Sequence, residues 1–511
     1  MNWLELKSKL QSQKGPGEPL YGVIVRQIQQ WIDSGALPAG QKLPTNRELS
    51  QLLGLDRSTV ARAYAELAQD GVIESHVGRG THVKARRSAA QSVDLWSDRF
   101  SKASQTAFEV MSKQPPASRP AAEVISFSGG LPTEEFYPHE QFEAIVNELI
   151  QSGQSRAMFE YSPADGHAGL RQEVLSHLKE QGIIADDDEL LIVSGSQQAI
   201  DLVTNVLVDP GDVVLLEDPS YFWAICNLKS RQARCIPIPV DQDGMRIDAL
   251  QSALAAHRVK LIYLMPTFQN PTGASLSIER RTRILELAKQ HNVAILEDNF
   301  VGDLRYDGEH VPALRALPGG REIVIHQGTF SKALCPGLRL GWLVAPKEVL
   351  SRLLLAKRVC DLSTNSMAQI TLARYLSAGL YKGHLENVRA AYKKRRDVML
   401  ESLSKSFSRE VSWSKPHGGL FIWLKLPSGL SARDLLSFAE AEGVSFSPGE
   451  LFFLGSEGKE YMRLCFIQTP ENVIQEGIKR LSAAYGRYVQ TVAQASASAY
   501  GAARSRDQVL I

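Results

Sequence analysis

The stretch Thr329-Phe-Ser-Lys-Ala-Leu-Cys-Pro-Gly-Leu-Arg-Leu-Gly-Trp342 places a lysine, Lys332, among groups that can hold an anion. Thr329 and Ser331 supply small hydroxyls beside it, and Arg339 follows seven residues later. Hydroxyls and a guanidinium suit a phosphate dianion, and a neighbouring lysine amine can condense with an aldehyde. A lone lysine after a serine is usually a surface residue, so this interpretation depends on its companions.

Around this stretch, β-rich apolar runs alternate with helical segments. The runs are 191–193, 213–216, 261–264, 293–296, 323–325 and 341–344. Such an order predicts an α/β domain with a mostly parallel sheet, over residues 123–490. Its ligand is expected at the carboxyl ends of the strands.

Further polar residues fall at those strand ends. Ser196 and Gln197 lie in a turn between a predicted strand and a predicted helix, where backbone N–H groups form an anion cradle. Asp298 can pair with the protonated nitrogen of a cofactor that contains a pyridine ring, although an isolated aspartate at the end of a strand is more often a capping residue. Asn270, in Gln269-Asn-Pro-Thr-Gly273, can donate to a ring hydroxyl, although Asn-Pro-x-Gly is also a common turn. Together these residues indicate pyridoxal 5'-phosphate, bound to Lys332 as a Schiff base.

With these motifs, the chain from about Ile125 to Tyr488 resembles the fold-type I pyridoxal-phosphate-dependent aminotransferases, which have a mostly parallel central sheet and a small α+β subdomain. The resemblance implies that Lys332 is the catalytic lysine, that Asp298 pairs with the pyridine nitrogen and that Asn270 contacts the ring hydroxyl. The phosphate contacts that it implies come from Ser196, Gln197, Thr329, Ser331 and Arg339.

The same resemblance implies roles for residues outside these motifs. Tyr221 would stack on the cofactor ring, with Phe222 as the fallback, and Tyr161 would reach the phosphate of a neighbouring subunit. Arg463 would grip the α-carboxylate of an amino acid, with Gly130 beside it. We predict no metal site.

One position departs from the family pattern. Relatives carry a tyrosine two or three residues after the aspartate, and its phenol donates to the ring oxygen, whereas this chain has Phe300 there. A phenylalanine cannot donate that hydrogen bond. We therefore expect the cofactor's protonation to differ from that in an efficient transaminase, because a donor to the oxyanion is missing.

The first part of the chain shows a different pattern. Apolar residues recur at helical spacing from Leu20 to Ile32, before Gly35, and Thr45 with Glu48 forms a capping box for a second helix. After a turn at Gly54, Asp56 can cap a third helix. Residues 72–83 form two short alternating runs around a glycine-rich turn, which predicts a β-hairpin wing.

Several spaced elements of this region resemble the GntR-type winged helix-turn-helix domain, over residues 15–84: Leu20-Tyr21, residues 40–49, Arg57-Ser-Thr-Val, Ala63-Tyr64, Glu66-Leu67 and residues 78–83. In such domains the third helix enters the major groove of double-stranded DNA and the wing lies along the minor groove or the phosphates. The predicted DNA contacts are Arg47, Arg57, Ser58, Thr59, Arg62 and Arg79. Outside this motif, such arginines would more often belong to an ordinary solvated helix face.

Composition sets limits on these interpretations. The net charge of the 511-residue chain is +1, but residues 1–87 hold 12 lysines and arginines against 8 acidic residues, so positive charge is local. The five cysteines form no disulfide-like framework, and no long apolar run is present, which predicts a cytoplasmic protein without membrane association. Residues 85–122 are predicted to be a linker, in which the scattered aromatics of residues 94–111 leave open a short helix on the larger domain, and residues 491–511 a disordered tail.

A GntR-type winged helix joined to an aminotransferase-like domain resembles the MocR family of bacterial regulators. The resemblance implies a homodimeric transcriptional regulator that binds operator DNA and senses pyridoxal phosphate, with a small amino acid or amine as a further effector. The alternative is an active aminotransferase acting on an amino acid, with or without a regulatory role. Phe300 favours the regulator, while the retained lysine leaves weak transaminase activity open.

Overall fold

The computed structural model describes residues 19–33, 36–76, 80–84, 99–112 and 124–507, together with positions 3, 6, 7, 10 and 96. Side chains of the last helix are described as far as residue 494. The chain divides into two compact units, Met1–Phe100 and Ser101–Ile511. No helix within the described ranges is both long enough and apolar enough to cross a membrane.

The first unit has three helices and a two-stranded sheet. Its elements are α1 (Leu20–Asp33), α2 (Asn46–Leu53), α3 (Arg57–Gln69), β1 (Ile73–His76) and β2 (Gly80–Val83). The strands are antiparallel, which confirms the predicted wing. Gly35 and Arg79 lie outside the described residues, so the predicted helix end and the predicted wing contact are not described.

The ends of α2 follow the predicted capping. The Thr45 side chain accepts from the Glu48 backbone and the Glu48 carboxylate accepts from Thr45, which forms the capping box. Gly54 ends the helix with φ of +71°, a left-handed conformation that favours glycine. Asp56 precedes α3, but its side chain makes no capping hydrogen bond, so only its position agrees with the prediction.

The core of the first unit includes residues that the sequence analysis did not assign. Leu6 and Leu10 are helical and buried with Ile24 and Ile28, and Trp3 meets Trp31 edge to face. Their spacing of three and four residues is the signal that was available in the sequence.

An eight-stranded sheet in the order β4-β11-β10-β9-β8-β5-β6-β7 forms the centre of the second unit. The strands of the second unit are β3 (Ile125–Ser126), β4 (Leu190–Val193), β5 (Val213–Asp218), β6 (Arg234–Asp241), β7 (Gly244–Met245), β8 (Val259–Leu264), β9 (Ala294–Asp298), β10 (Val324–Thr329), β11 (Gly341–Val344), β12 (Ser412–Trp413), β13 (Phe421–Lys425), β14 (Val444–Ser445), β15 (Ser447–Pro448) and β16 (Tyr461–Cys465). Strands β6, β5, β8, β9 and β10 are parallel, whereas β11 pairs antiparallel with both its neighbours. The mostly parallel sheet is thus confirmed, and all six predicted runs overlap strands, although residues 293 and 323 lie just outside them.

Helices cover both faces of this sheet, which is why its strands are almost continuously apolar. They are α4 (Lys102–Met111), α5 (His139–Gln151), α6 (Arg156–Phe159), α7 (Ala168–Glu180), α8 (Ser196–Leu207), α9 (Phe222–Ser230), α10 (Ile247–Ala256), α11 (Ile278–Gln290), α12 (Gly320–Ile323), α13 (Lys347–Asp361), α14 (Ser366–Ser377), α15 (Leu380–Ser406), α16 (Ala432–Ala441) and α17 (Glu471–Asp507). Short 3-10 turns occur at Glu134–Phe136, Asp187–Glu189, Leu314–Ala316, Pro336–Leu338 and Gly449–Phe452.

A smaller sheet in the order β12-β13-β16-β15 forms the α+β subdomain together with β3, β14 and the helices α15, α16 and α17. Its antiparallel pairs β13–β16 and β15–β16 set Arg463 between Trp423 and Ser447. This register brings a charged side chain from the subdomain toward the end of the large sheet.

The two segments predicted as irregular both contain helix. In the predicted linker this is α4, the short helix left open for residues 94–111, and its Val110 is buried against Phe222 and Cys226 of α9, so it belongs to the second unit. The predicted disordered tail is helical as far as Asp507, because α17 continues through it. The physical reason is its alanine content without proline, since alanine has the highest helix propensity.

Candidate functional site

Lys332 follows the end of β10 and lines a cavity of about 380 Å³ at the carboxyl edge of the large sheet. Its Nζ donates to the carbonyl oxygen of Gly130 at 2.9 Å. Burial lowers the pKa of the Lys332 amine to about 8, so an unusually large fraction is neutral near physiological pH. A neutral amine is the form that attacks an aldehyde.

The predicted anion cradle lies between β4 and α8. Gly195 has φ of +85°, and a Cβ built there would lie 2.6 Å from Nη2 of Arg339. Arg339 donates from Nη2 to the carbonyl of Ser194 at 3.0 Å, and its Nη1 lies 3.5 Å from Oγ of Ser331. The twelve-residue helix α8 begins at Ser196, so its free N–H groups and the guanidinium converge on one place.

The remaining predicted phosphate residues lie around this cradle. Thr329 donates to Oγ of Ser331 at 3.0 Å, and both side chains are buried. Gln197 lies in the first turn of α8, and its Oε1 is 3.5 Å from the hydroxyl of Tyr221. Tyr221 itself lines the cavity at the start of α9. The predicted ring-stacking residue and the predicted phosphate residues are therefore neighbours.

Asp298 ends β9 and lines the cavity while almost fully buried. The hydroxyl of Tyr263, on the neighbouring strand β8, donates to its Oδ2 at 2.7 Å. Burial raises the pKa of the Asp298 carboxyl to about 6, and the hydrogen bond from Tyr263 opposes that rise. Oδ1 has no hydrogen-bond partner in the described part of the chain, so one carboxylate oxygen remains available to a ligand.

Arg463 approaches the same cavity from β16. Its Nη1 donates to Oδ1 of Asn270 at 2.8 Å, and its Nη2 donates to the carbonyl of Ser128 at 2.7 Å. The guanidinium carbon lies 4.0 Å from the ring centroid of Phe421 and 4.8 Å from that of Phe452. Burial lowers the pKa of Arg463 to about 10, and no carboxylate among the described residues forms an ion pair with it. A buried cation without a counter-ion is a binding site for an anion.

Asn270 is oriented by this contact. Because its Oδ1 accepts from Arg463, its amide nitrogen is the end left for the cavity that Asn270 lines. The predicted donation to a ring hydroxyl uses that nitrogen.

Phe300 lines the cavity two residues after Asp298, at the place predicted for it. In the described part of the chain, the Asp298 carboxylate raises the pKa of two phenols, those of Tyr221 and Tyr263. Tyr263 already donates its hydrogen bond to that carboxylate. The structure does not bring Tyr161 into the cavity: its side chain is 83% exposed.

Several cavity residues were missed by the sequence analysis. Tyr263, Trp223, Phe421, Leu451 and Phe452 contact either the cavity or its polar groups. In the sequence they are apolar or aromatic residues without a motif, and nothing distinguishes them from core residues.

In the first unit, the predicted DNA contacts at the start of α3 lie on its surface. Arg57, Ser58 and Arg62 are exposed and Thr59 is partly exposed, while Val60 and Tyr64 face the core. Arg47 is exposed on α2. The guanidinium of Arg62 also lies over the ring of Tyr21, 4.3 Å from its centroid.

The arrangement in the second unit fits pyridoxal phosphate. Gly195 leaves space for an anion beside Arg339, Asp298 offers an unpartnered oxygen, and the Lys332 amine faces the same cavity. When bound, this cofactor supplies an electrophilic aldehyde and an electron-accepting ring.

Comparison with known proteins identifies both units. Residues 20–83 match the bacterial regulatory proteins of the gntR family, and residues 132–481 match aminotransferase class I and II. Aromatic-amino-acid aminotransferase 1 of Thermococcus litoralis is 39% identical over 71% of this chain and 88% of its own length. The crystal structure of LysN, an α-aminoadipate aminotransferase from Thermus thermophilus, has a TM-score of 0.72 and 34% identity, covering 78% of this chain and 99% of LysN.

Regulators match over both units. The uncharacterized HTH-type transcriptional regulator YdfD of Bacillus subtilis is 30% identical over 91% of this chain and 95% of its own length. The protein is thus a GntR-type regulator joined to a pyridoxal-phosphate-dependent aminotransferase domain. It belongs to the MocR family, and the probable rhizopine catabolism regulatory protein MocR of Rhizobium meliloti is 27% identical over 91% of this chain and 94% of its own length.

Proposed function

We propose that the second unit is the sensor of this regulator, with Lys332 holding pyridoxal phosphate and Arg463 holding the carboxylate of an amino acid. The observation that carries the proposal is the buried guanidinium of Arg463, which lacks an acidic partner among the described residues and lines the same cavity as Lys332. Exchange of ligands in this cavity then shifts the population between two states of the protein.

The cofactor contacts in this proposal come from the cavity wall and from the anion cradle beside it. Asp298 pairs with the pyridine nitrogen through Oδ1, Asn270 donates to the ring hydroxyl, and Tyr221 stacks on the ring. Ser196, Gln197, Thr329, Ser331 and Arg339 hold the phosphate, since they surround the cradle at the start of α8.

Operator DNA is read by the exposed start of α3. Arg57, Ser58, Thr59 and Arg62 face solvent there, as base-reading side chains of a recognition helix must. Arg47 on α2 contacts the backbone, and Arg79 of the wing completes the set.

A second copy of the chain completes the cofactor site. Phe159, Tyr161 and Val359 are 82%, 83% and 91% exposed, and Ser162, which follows Tyr161, donates from its backbone to Ser366 of α14 at 3.0 Å. We place these side chains in one interface, because an exposed apolar patch marks a site of association. In a homodimer with this interface, Tyr161 of one protomer reaches the phosphate bound by the other.

An aminotransferase is the second candidate, and one observation favours it: Lys332, Asp298, Asn270 and Arg463 all line one cavity. Phe300 argues for slow turnover, because no phenol donates from its position. Steady multiple turnover of an amino acid to a keto acid, at about 1 per second or faster, would favour the enzyme over the sensor.

The test of the proposed function compares the wild type with Lys332→Ala, and with Lys382→Ala at an exposed lysine as the matched control. The wild type and the control should show the visible absorption of lysine-bound pyridoxal phosphate, and Lys332→Ala should not. Footprints on the DNA upstream of the protein's own gene should respond to pyridoxal phosphate with the wild type and with Lys382→Ala, but not with Lys332→Ala. A lysine-linked band in Lys332→Ala contradicts the site, and footprints that never respond contradict the sensor.

A further inference from the structure

Two groups fix how an amino acid lies in the cavity, if the proposed function holds. The amine of the ligand is directed to the cofactor carbon that Lys332 would bind. The carboxylate of the ligand is directed to the guanidinium of Arg463. The side chain of the ligand must therefore contact the rest of the wall, which is lined by Phe222, Trp223, Leu451 and Phe452.

That part of the wall offers no charge. Lys332 and Arg463 are the only basic residues lining the cavity, and Asp298 its only acidic one, within the described part of the chain. All three are committed to the cofactor or to the carboxylate. A second charged group on the ligand would therefore lose its hydration without gaining a counter-charge.

The two uncharged polar side chains of the wall beside Arg463 are also occupied. Ser447 donates to the carbonyl of Ser128 at 2.8 Å and lies 3.3 Å from Nη2 of Arg463. Oδ1 of Asn270 accepts from the same guanidinium. These groups orient Arg463, and the atoms that do so are not free to bind the side chain of a ligand.

The apolar wall packs against side chains that lie outside the cavity. Phe222 is buried with Cys226 against Val110 of α4, and Leu451 packs against the same cluster. Because close-packed side chains resist displacement, the wall is preformed and does not depend on the ligand for its shape.

We infer that the amino-acid ligand carries an apolar side chain, which contacts Phe222, Trp223 and Leu451. This inference rests on the proposed function and narrows it from amino acids and amines in general to one chemical class. Selectivity arises because an apolar side chain gains by leaving water, whereas a charged one loses.

The experiment titrates the holoprotein with L-leucine, L-phenylalanine, L-glutamate, L-lysine and the carboxylate-free amine isopentylamine, following the absorption of the lysine-bound cofactor. L-leucine or L-phenylalanine should bind about tenfold more tightly, or better, than L-glutamate and L-lysine. Isopentylamine should bind more weakly than L-leucine, because it leaves Arg463 unpaired.

Leu451→Arg should weaken L-leucine binding and strengthen L-glutamate binding, because it replaces apolar surface with a counter-charge. Ile184→Arg is the matched control, since Ile184 is exposed and lies outside the cavity lining. Tighter binding of L-glutamate or L-lysine by the wild type overturns the inference but leaves the proposed sensor intact. If no amino acid changes the absorption, the amino-acid sensor itself is contradicted, and the inference falls with it.

Discussion

At the scale of single residues, burial lowers the pKa of Lys332. The amine has no acidic partner in the described part of the chain that would hold its proton, and it donates only to the neutral carbonyl of Gly130. Its pKa is about 8, against an ordinary value of 10.5. Because the charged form is the one that burial disfavours, the neutral form becomes available at lower pH.

This pKa predicts how cofactor loading depends on pH. Below about 8 the Lys332 amine is protonated and cannot attack the aldehyde of pyridoxal phosphate, so the loading rate should rise through pH 8 and then level off. Stopped-flow absorption of the apoprotein mixed with cofactor measures this rate. A rate that keeps rising toward pH 10 would contradict the assignment of the depressed pKa to Lys332.

Phe300 is a second residue whose effect can be measured. In Phe300→Tyr, a phenol can donate to the ring oxygen, so the pH midpoint of the cofactor's visible band should fall by about one unit or more. Phe300→Leu adds no donor and serves as the control. A midpoint that is unchanged in Phe300→Tyr would mean that residue 300 does not face the ring oxygen.

The residues of the site differed in how far the sequence revealed them. Lys332, Asp298 and Arg463 were predicted because each belongs to a motif, and the structure brings all three to one cavity. Tyr263 was not predicted, because its bond to Asp298 depends on the register that places Tyr263 beside Leu296 in the sheet. The sequence of a strand does not by itself show which residues of the neighbouring strand will lie beside it.

At the scale of elements, α3 separates DNA recognition from the fold of the first unit. Val60 and Tyr64 face the core, and the hydroxyl of Tyr64 donates to the carbonyl of Pro44 at 2.8 Å, while Arg57 faces solvent. A substitution at Arg57 therefore leaves the packing of the helix unchanged.

We expect Arg57→Ala to weaken binding to operator DNA by about 1–3 kcal/mol, without changing the cofactor spectrum. Fluorescence anisotropy at two or more salt concentrations measures both the affinity and its salt slope. Arg283→Ala, at a partly exposed arginine of α11, is the matched control, and Arg57 is preferred to Arg62 because Arg62 also contacts Tyr21. Equal affinities of Arg57→Ala and the control would contradict the recognition helix.

The helices that the sequence analysis underestimated were those with weak amphipathic patterns. The alanine-rich end of α17 reads as low-complexity sequence, yet local helix propensity is sufficient to continue a helix that already exists. For helix α4 the sequence left a short helix open, and its Val110 packs against α9. Neither effect is visible in a pattern of hydrophobic residues alone.

At the scale of the whole molecule, the apolar surface around Tyr161 predicts an oligomer. Val359 is on α13, whose Asp361 accepts from Gln198 of α8 at 2.7 Å, so the end of α13 lies close to the start of α8. In the proposed homodimer, Tyr161 of one protomer approaches the phosphate cradle of the other.

Val359→Asp should weaken the dimer by about tenfold or more, because it buries a charge in an apolar interface. Sedimentation velocity over a range of concentrations measures the monomer–dimer equilibrium. Ile184→Asp introduces the same charge at another exposed apolar residue and should have no effect. If both variants sediment as the wild type does, the interface lies elsewhere.

Helix α4 links its own position to the affinity of the cavity for a ligand, because its Val110 packs against Phe222, which lines that cavity. Suppose that a ligand in contact with this wall increases, by some factor, the equilibrium constant for the packing of α4 against α9. Linkage then requires that whatever loosens α4 weakens the ligand by the same factor. If operator binding is one such influence, DNA is itself an effector of the cavity, and the ligand's dissociation constant must change when operator is added.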